Sequence, residues 1–354
     1  MSGTRLRVGI ACSPQTHELY IGATDLARLE AFADVSRLDV EVPGDSWQRP
    51  AHDPELEARL CAFTADLDVL LVCHGAPFVS ASVMAAAPGL KMIGDLEGDR
   101  FGHRVDMAAA REAGIMVVDT THSSSWPVAE WALALVLVGL RQHARFRDII
   151  AGAEMNHDDY RTVPPARELT GRTVGLIGFG RISWRLRELL DPFRTRVIAY
   201  DPFAPRELAD ALNVDFAALD MVMSCEIVVC LAPQTPTTTG MIGARELGLL
   251  PPDAVFVNVS RGVVVDRAAL EEKAARGDAW FGLDAHDPEP IAVDTPLRGM
   301  HNVFLSPHIG GMTVEAQPRF FTLMVDELVR YDEGVEPRAQ LTDRALEGRG
   351  ARPA

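Results

Sequence analysis

Three stretches in the last third of the chain carry residues able to do chemistry. In Val257-Asn258-Val259-Ser260-Arg261-Gly262 an apolar run ends in an arginine. A guanidinium is a rigid fork of donors suited to a carboxylate or a carbonyl oxygen. In Leu305-Ser306-Pro307-His308-Ile309-Gly310-Gly311 a histidine leaves an apolar run ahead of two glycines. Imidazole titrates nearest neutrality, so His308 is a candidate general acid or base. Between them, Gly282-Leu283-Asp284-Ala285-His286-Asp287-Pro288-Glu289-Pro290 sets three carboxylates and a second histidine after another apolar run. Chemistry alone does not single out one acid of that loop. Taken singly, a strand-end arginine is commoner as a surface residue, and a lone histidine as a structural one.

A fourth stretch, residues 173–201, reads TVGLIGFGRISWRLRELLDPFRTRVIAYD. An apolar run leads into Gly178-Phe179-Gly180-Arg181-Ile182-Ser183. A segment with Leu186, Leu189 and Leu190 on one helical face follows, and a second apolar run ends at Asp201. Strand, glycine turn, helix, strand and acid in that order make the first half of a dinucleotide-binding βαβ unit. Gly178 permits the tight turn, and Gly180 lets the backbone approach a pyrophosphate. The free N–H groups and positive dipole end of the helix attract that phosphate. Asp201 can accept hydrogen bonds from the ribose hydroxyls. Ser183 stands where the motif has a third glycine, a position serving close helix–strand packing, and its small side chain is expected to enter with a slight shift.

Elements able to carry these groups run along the whole chain. Residues 5–11, 38–42, 68–73, 90–94 and 115–118 read as strands, alternating with helical segments at 24–34, 56–67, 80–87 and 106–112. That series predicts a parallel sheet in a first domain of roughly 120 residues. A long helix from 128 to about 146 follows, then a polar stretch at 152–171 without clear periodicity. Beyond the βαβ unit, strands are expected at 227–231, 254–259, 280–283 and 302–306, completing a second doubly wound sheet, with a last helix at 314–331. Residues 336–354, rich in Arg, Pro and Gly, are expected to fray.

The length, 354 residues, exceeds one typical core and suggests two domains. With 47% hydrophobic and 24% charged residues, the composition is that of a soluble globular protein. A formal net charge of -16, with no basic block before the tail, speaks against nucleic acid and anionic membranes as main partners. Cys12, Cys61, Cys73, Cys225 and Cys230 are odd in number and scattered among apolar neighbours. They suggest buried reduced thiols and a cytoplasmic protein. Cys225 and Cys230 match no usual zinc spacing, and no metal is expected. The first twelve residues enter a strand without the apolar core of a signal peptide. Residues 128–140, apolar apart from Glu130, fall short of the roughly 18 a membrane span needs and read as a buried helix.

Together these stretches resemble the D-isomer-specific 2-hydroxyacid dehydrogenase family, which includes phosphoglycerate dehydrogenases and hydroxypyruvate/glyoxylate reductases. VGLIGFGRIS resembles its cofactor motif, VNVSRGVVVDRAAL its arginine motif, GLDAHDPEP its acid motif and LSPHIGG its histidine motif. LKMIGDLEG, VDMAAAREAGIMVVDTT and PVAEWALALVLVGLR resemble the end of its substrate domain and its crossing helix. The resemblance implies an α/β fold of two doubly wound parallel-sheet domains. An NAD-binding Rossmann domain, residues 126–305, would be inserted in a flavodoxin-like substrate domain built from residues 1–125 and 306–354, with the catalytic cleft between them.

It also implies roles. Arg261 would grip the carboxylate and 2-oxo group of the substrate, and His308 would exchange a proton with its C2 oxygen. Glu289 would pair with His308 and fix its tautomer. NAD would meet Gly178, Gly180, Arg181, Ile182, Asp201, Pro233, Val259, Ser260, Asp284 and Gly310, with Asp201 on the adenosine ribose and Asp284 on the nicotinamide carboxamide. Backbone N–H groups near Leu96, Glu97 and Gly98 would take the substrate carboxylate. The chain departs from the family pattern at Ser183, at Ser124 in place of a frequent asparagine, and in the long charged loop 95–104. The leading expectation is an NAD-dependent dehydrogenase of small D-2-hydroxy or 2-oxo acids, acting as a homodimer. An alternative is an NAD(H)-sensing, corepressor-like interaction protein. A formate dehydrogenase is disfavoured by the acid at 289. Asp201 favours NAD over NADP. The acids of loop 95–104, placed near the carboxylate site, favour monoacids over phosphorylated acids.

Overall fold

Val69–Val72, Ile227–Cys230, Ala254–Asn258 and Ala279–Leu283 are buried along their whole length. Strands covered on both faces belong in parallel sheets flanked by helices, and each lies in one. The computed structural model describes residues 5–42, 49–99, 101–143, 166–343 and 346. The chain forms two units, Met1–Ser124 with Met312–Glu347, and Ser125–Gly311. The expected breaks lay at 125/126 and 305/306. The second falls later because Ser306, Ile309 and Gly310 all hydrogen-bond Asp284 in the second unit.

The first unit holds β1 (Leu6–Cys12), β2 (Ala33–Asp39), β3 (Val69–Val72), β4 (Met92–Asp95) and β5 (Met116–Asp119) in the order β2-β1-β3-β4-β5, all parallel. This is the flavodoxin-like order. Its helices are α1 (Pro14–Tyr20), α2 (Ala23–Glu30), α3 (Pro54–Thr64), α4 (Ala81–Ala86) and α5 (Met107–Glu112). A late helix, Ala316–Asp332, returns to bury Phe320, Phe321, Met324, Val325 and Leu328 in the same core.

The second unit begins with α6 (Ser125–Leu140). It continues with β6 (Thr173–Ile177), α7 (Arg181–Leu190), β7 (Arg196–Tyr200), α8 (Arg206–Ala211), β8 (Asp215–Phe216), α9 (Leu219–Met223) and β9 (Ile227–Cys230). It ends with α10 (Ala244–Gly248), β10 (Ala254–Asn258), α11 (Arg267–Ala275), β11 (Ala279–Leu283) and β12 (Val303–Leu305), so the returning helix of the first unit is α12. The sheet order β12-β11-β10-β9-β6-β7-β8 is that of a Rossmann fold with one strand added. Helix α6 lies in the core cluster with β6, β9 and β10 through Val128, Ala129, Ala132, Leu135, Val136 and Leu140. Thr121–Leu140 is long and apolar enough to cross a membrane by composition, yet 56% of that window is buried in the protein.

Some sequence expectations shift. The second strand is Ala33–Asp39 and not residues 38–42, because this edge strand is polar and only its register against β1 defines it. Helix α1 was not foreseen, although Ser13 caps it through the Thr16 N–H (3.1 Å) and Pro14 opens it. The described part of the tail is anchored where fraying was expected: the Asp119 N–H donates to Ala339 O (3.1 Å) and the Leu341 N–H to Val117 O (2.8 Å), while residues 347–354 lie outside the described residues. Cys61 is only partly buried, whereas the other four cysteines are buried, and all five are free. The end of the helix expected to reach 146, and residues 152–165 of the polar stretch, lie outside the described residues.

The carboxyl ends of β4 and β5 bring Asp95 and Asp119 into register, 0% and 4% exposed. Burial, then the charge of Asp95, pushes the Asp119 carboxyl up to about 6, against bonds from the Thr121 and Gly102 N–H groups. An acid raised in this way ionises first in the unfolded chain. Its contribution to stability therefore falls as pH rises from the ordinary 3.8 to about 6. Asp119→Asn should remove that slope. Unfolding free energies at pH 4 and pH 6 should fall more for the parent than for the variant, and parallel profiles would contradict this.

Candidate cofactor and catalytic site

The second sheet reverses strand order between β6 and β9, and ligands of such sheets bind outside the carboxyl ends of the strands at that point. Gly178 leaves β6 with φ +90°, and a Cβ there would stand 2.9 Å from the Ala232 backbone nitrogen. The turn thus presses against the exit of β9, just before Pro233. Gly180 starts α7 without any side-chain cap, and the first turn at Arg181 and Ile182 sets the positive end of the helix dipole at this point. Ser183 is fully buried, and its Oγ donates to Gly178 O at 2.7 Å. The third motif position is therefore tied into the turn by a hydrogen bond. Asp201 Oδ2 accepts from the Phe179 N–H (2.7 Å), and Oδ1 from the N–H groups of Phe203 and Ala204 (2.8 and 3.0 Å). A carboxylate offers about four acceptor sites, so Oδ2 keeps one for a ribose hydroxyl. Turn, helix start and acid fit a dinucleotide.

At the end of β10, Asn258 Oδ1 accepts from the Ser260 N–H and Oγ (3.0 and 2.8 Å), while Nδ2 donates to Arg261 O (3.1 Å). Val259 and Ser260 are held in this way, and Arg261 is half-buried at the tip, one Nη bonding Ser260 O at 2.8 Å. The next residue must be glycine: a Cβ on Gly262 would fall 1.9 Å from the His286 carbonyl. The arginine turn and the acid loop therefore touch backbone to backbone.

That loop supplies Glu289, whose Oε2 lies 3.1 Å from His308 Nδ1 and accepts the His286 N–H at 3.1 Å. Burial raises the Glu289 carboxyl, but the bonds from His308 and from the His286 backbone outweigh it and hold the group below the usual carboxylate range. Facing an ionised acid, His308 Nδ1 carries the ring hydrogen. His308 adopts φ 55°, a left-handed turn rare for a residue with a side chain.

Asp284, 2% exposed, fastens the His308 turn. Its Oδ1 accepts from Ser306 Oγ (2.6 Å), the Ile309 N–H (3.0 Å) and Trp131 Nε1 (3.2 Å), and Oδ2 accepts from the Gly310 N–H (2.9 Å). One acceptor site on Oδ2 is left for a carboxamide. His286, Ser306 and Trp131 escaped the sequence reading. His286 Nε2 meets Ser306 O at 2.8 Å, so its hydrogen sits on that nitrogen. The two residues could have been noticed inside the motifs, whereas Trp131 gave no local signal.

Leu96, Glu97 and Gly98 belong to the first unit, directly after β4. Two of the three acids expected to act near the carboxylate site are instead paired inside the unit. Asp95 is buried against Arg104, itself 2% exposed, at 3.0 Å. Glu97 turns inward to Tyr20 and His74. Arg100 lies outside the described residues.

Residues 133–310 match the model of the D-isomer specific 2-hydroxyacid dehydrogenase, NAD binding domain. The D-3-phosphoglycerate dehydrogenase of Mycobacterium tuberculosis is 35% identical over 269 residues, 74% of this chain and 48% of its own. The chain thus spans about half the length of that relative. The glyoxylate reductase of Thermofilum pendens is 32% identical over 301 residues, 84% of this chain and 87% of its own. The apo structure of Rhodotorula graminis D-mandelate dehydrogenase shares the fold at a TM-score of 0.80, with 20% identity over 96% of this chain and 98% of its own. On the glycine turn with its acid, the arginine turn, the paired histidine and these matches, the chain belongs to the D-isomer-specific 2-hydroxyacid dehydrogenase family, and its second unit contains the family's NAD-binding domain.

Proposed function

We propose that this protein is an NAD-dependent oxidoreductase that moves a hydride to or from carbon 2 of a small D-2-hydroxy or 2-oxo acid. The observation that carries this reading is the 3.1 Å pairing of His308 with Glu289, in a loop that abuts the Arg261 turn at Gly262. Bound NAD(H) supplies or accepts the hydride. The chain does the rest. Gly178, Gly180, Arg181 and Ile182 hold the pyrophosphate, Asp201 the ribose and Asp284 the carboxamide, with Pro233, Val259, Ser260 and Gly310 around them. Arg261 clamps the substrate carboxylate and 2-oxo group. Of the loop N–H groups expected to take a carboxylate, that of Leu96 is spent on Val72 O (3.0 Å), which leaves those of Glu97 and Gly98. In reduction His308 Nε2 gives its proton to the C2 oxygen. The ionised Glu289 steadies the imidazolium before transfer. Oxidation runs the proton back.

The phosphoglycerate dehydrogenase and glyoxylate reductase relatives leave two substrate classes to choose between. We favour monoacids, because Arg104 is committed inside the first unit and cannot meet a phosphate. For the cofactor, Asp201 would face the 2′-phosphate of NADP, and like charges so placed cost several kcal/mol. Steady-state kinetics on a panel of 2-oxo acids with both cofactors tests both points. We expect kcat/KM to be higher for hydroxypyruvate than for its phosphorylated counterpart, and for NADH roughly tenfold or more above NADPH. A preference for the phosphorylated acid, or equal use of the cofactors, would contradict the respective assignment.

His308→Ala should lower kcat by roughly 100- to 10,000-fold with little change in NADH affinity, the usual worth of a general acid/base. Glu289→Gln removes a charge that favours protonated His308, so the reductive pH profile should fall off at lower pH than in the parent. An unmoved profile would break the pairing.

The free cysteines support a cytoplasmic location. Helix α6 leaves Leu133, Leu137 and Val138 only partly buried although they pack against the core, which supports a homodimer through this helix. Light scattering at micromolar concentration should give twice the 38.5 kDa chain mass, and a monomer would reject it.

A further inference from the structure

The sheet of the first unit has its own reversal of strand order, between β1 and β3. Ligands of open parallel sheets gather outside the carboxyl ends of the strands at such a point. A chain of buried and partly buried polar groups stands there. Tyr20 OH donates to Glu97 Oε2 at 2.7 Å, and His74 Nε2 meets the same oxygen at 2.7 Å. Arg104 approaches His74 Nδ1 at 2.7 Å. A guanidinium only donates, so Nδ1 accepts and the ring hydrogen lies on Nε2, directed at Glu97. Arg104 also bonds Asp95 Oδ1 (3.0 Å) and the backbone carbonyl of Glu97 itself (2.5 Å). Thr120 Oγ1 holds Leu96 O at 3.2 Å.

Glu97 is thus gripped at both its carboxylate and its carbonyl. Burial opposes its ionisation, but the hydrogen bonds of His74 and Tyr20 and the charge of Arg104 hold its carboxyl below the usual range. Burial and the charge of Glu97 push the Tyr20 hydroxyl up, so it remains a donor. The turn these bonds shape has no room for a side chain at Gly98, where a Cβ would lie 2.4 Å from Asp95 Oδ2 and 2.6 Å from Asp119 Oδ2. Among the described residues, the N–H groups of Glu97 and Gly98 donate to no acceptor. Successive unpaired N–H groups in a turn form a concave anion site.

We propose that Tyr20, His74 and Arg104 are positioning residues for the substrate, fixing through Glu97 the turn whose two adjacent N–H groups receive the carboxylate of a monoanionic 2-oxo acid. This deepens the oxidoreductase reading and rests on it for the identity of the anion. The smallest perturbation is Tyr20→Phe, which removes one hydroxyl. With glyoxylate it should raise KM roughly tenfold, about the worth of one hydrogen bond to a charged group, and leave kcat within about twofold. The Kd for NADH should not move. His74→Gln, which keeps a donor, should cost less than His74→Leu. In parallel, oxamate is titrated into 15N-labelled, NAD-loaded protein. The Glu97 and Gly98 amide signals should shift in the parent, and at higher oxamate in Tyr20→Phe. A lowered Tm in Tyr20→Phe with unchanged KM and unchanged oxamate titration would show a merely structural network and overturn the inference. Oxamate shifts at these amides without turnover of any 2-oxo acid would remove the oxidoreductase reading alone and still support the anion site. Neither shifts nor turnover in the parent would overturn both.

Discussion

One buried carboxylate holds the chemistry of the second unit together. Asp284 ends β11 with almost no contact with water, and an ion in that position persists only if its acceptor sites are filled. All but one are filled, from three directions: the indole of α6, the hydroxyl of Ser306 after β12, and the N–H groups of Ile309 and Gly310. Because Ser306 and Ile309 stand on either side of His308, the imidazole inherits its place from Asp284. His286 then fastens the acid loop to the Ser306 carbonyl and lends its own N–H to Glu289. Histidine and acid are thereby aligned by backbone bonds on short turns, a stiffer mounting than rotamer preference alone provides.

The first unit solves a different problem with similar means. Its charged loop places acids where a parallel sheet has least water, and isolated charges there would be costly. Arg104 and His74, 9 and 23 residues from their partners in sequence, close the account by pairing. What the turn at Glu97 and Gly98 leaves unpaired is backbone N–H, which offers donors without net charge.

The parts legible in sequence were those whose signal is local. Apolar runs marked the buried strands, and the turn from Gly178 to Ser183, with its flanking strands, helix and Asp201 in order, announced its cofactor. Even there, the bond from Ser183 to Gly178 was invisible, since the letter shows size and not where the hydroxyl points. Strand β2 was displaced because an edge strand with alternating polar residues carries little apolar signal. The acids of loop 95–104 were placed beside the carboxylate site, since the sequence shows none of their partners. The inward turn of Asp95 and Glu97 depends on partners gathered by topology. Trp131 was beyond reach for the same reason, lying 153 residues from the carboxylate it serves.

Helix α12 and the Ala339 and Leu341 contacts complete a sheet whose strands all precede residue 120. A ribosome therefore releases the first sheet with one flank of its core bare. That flank stays uncovered until Phe320, Phe321 and Met324 have been made, some two hundred residues after β5. In between emerges the whole of the second unit, an uninterrupted segment with every strand of its sheet at hand. Order of synthesis and order of burial are thus opposed: the part made first is the part closed last.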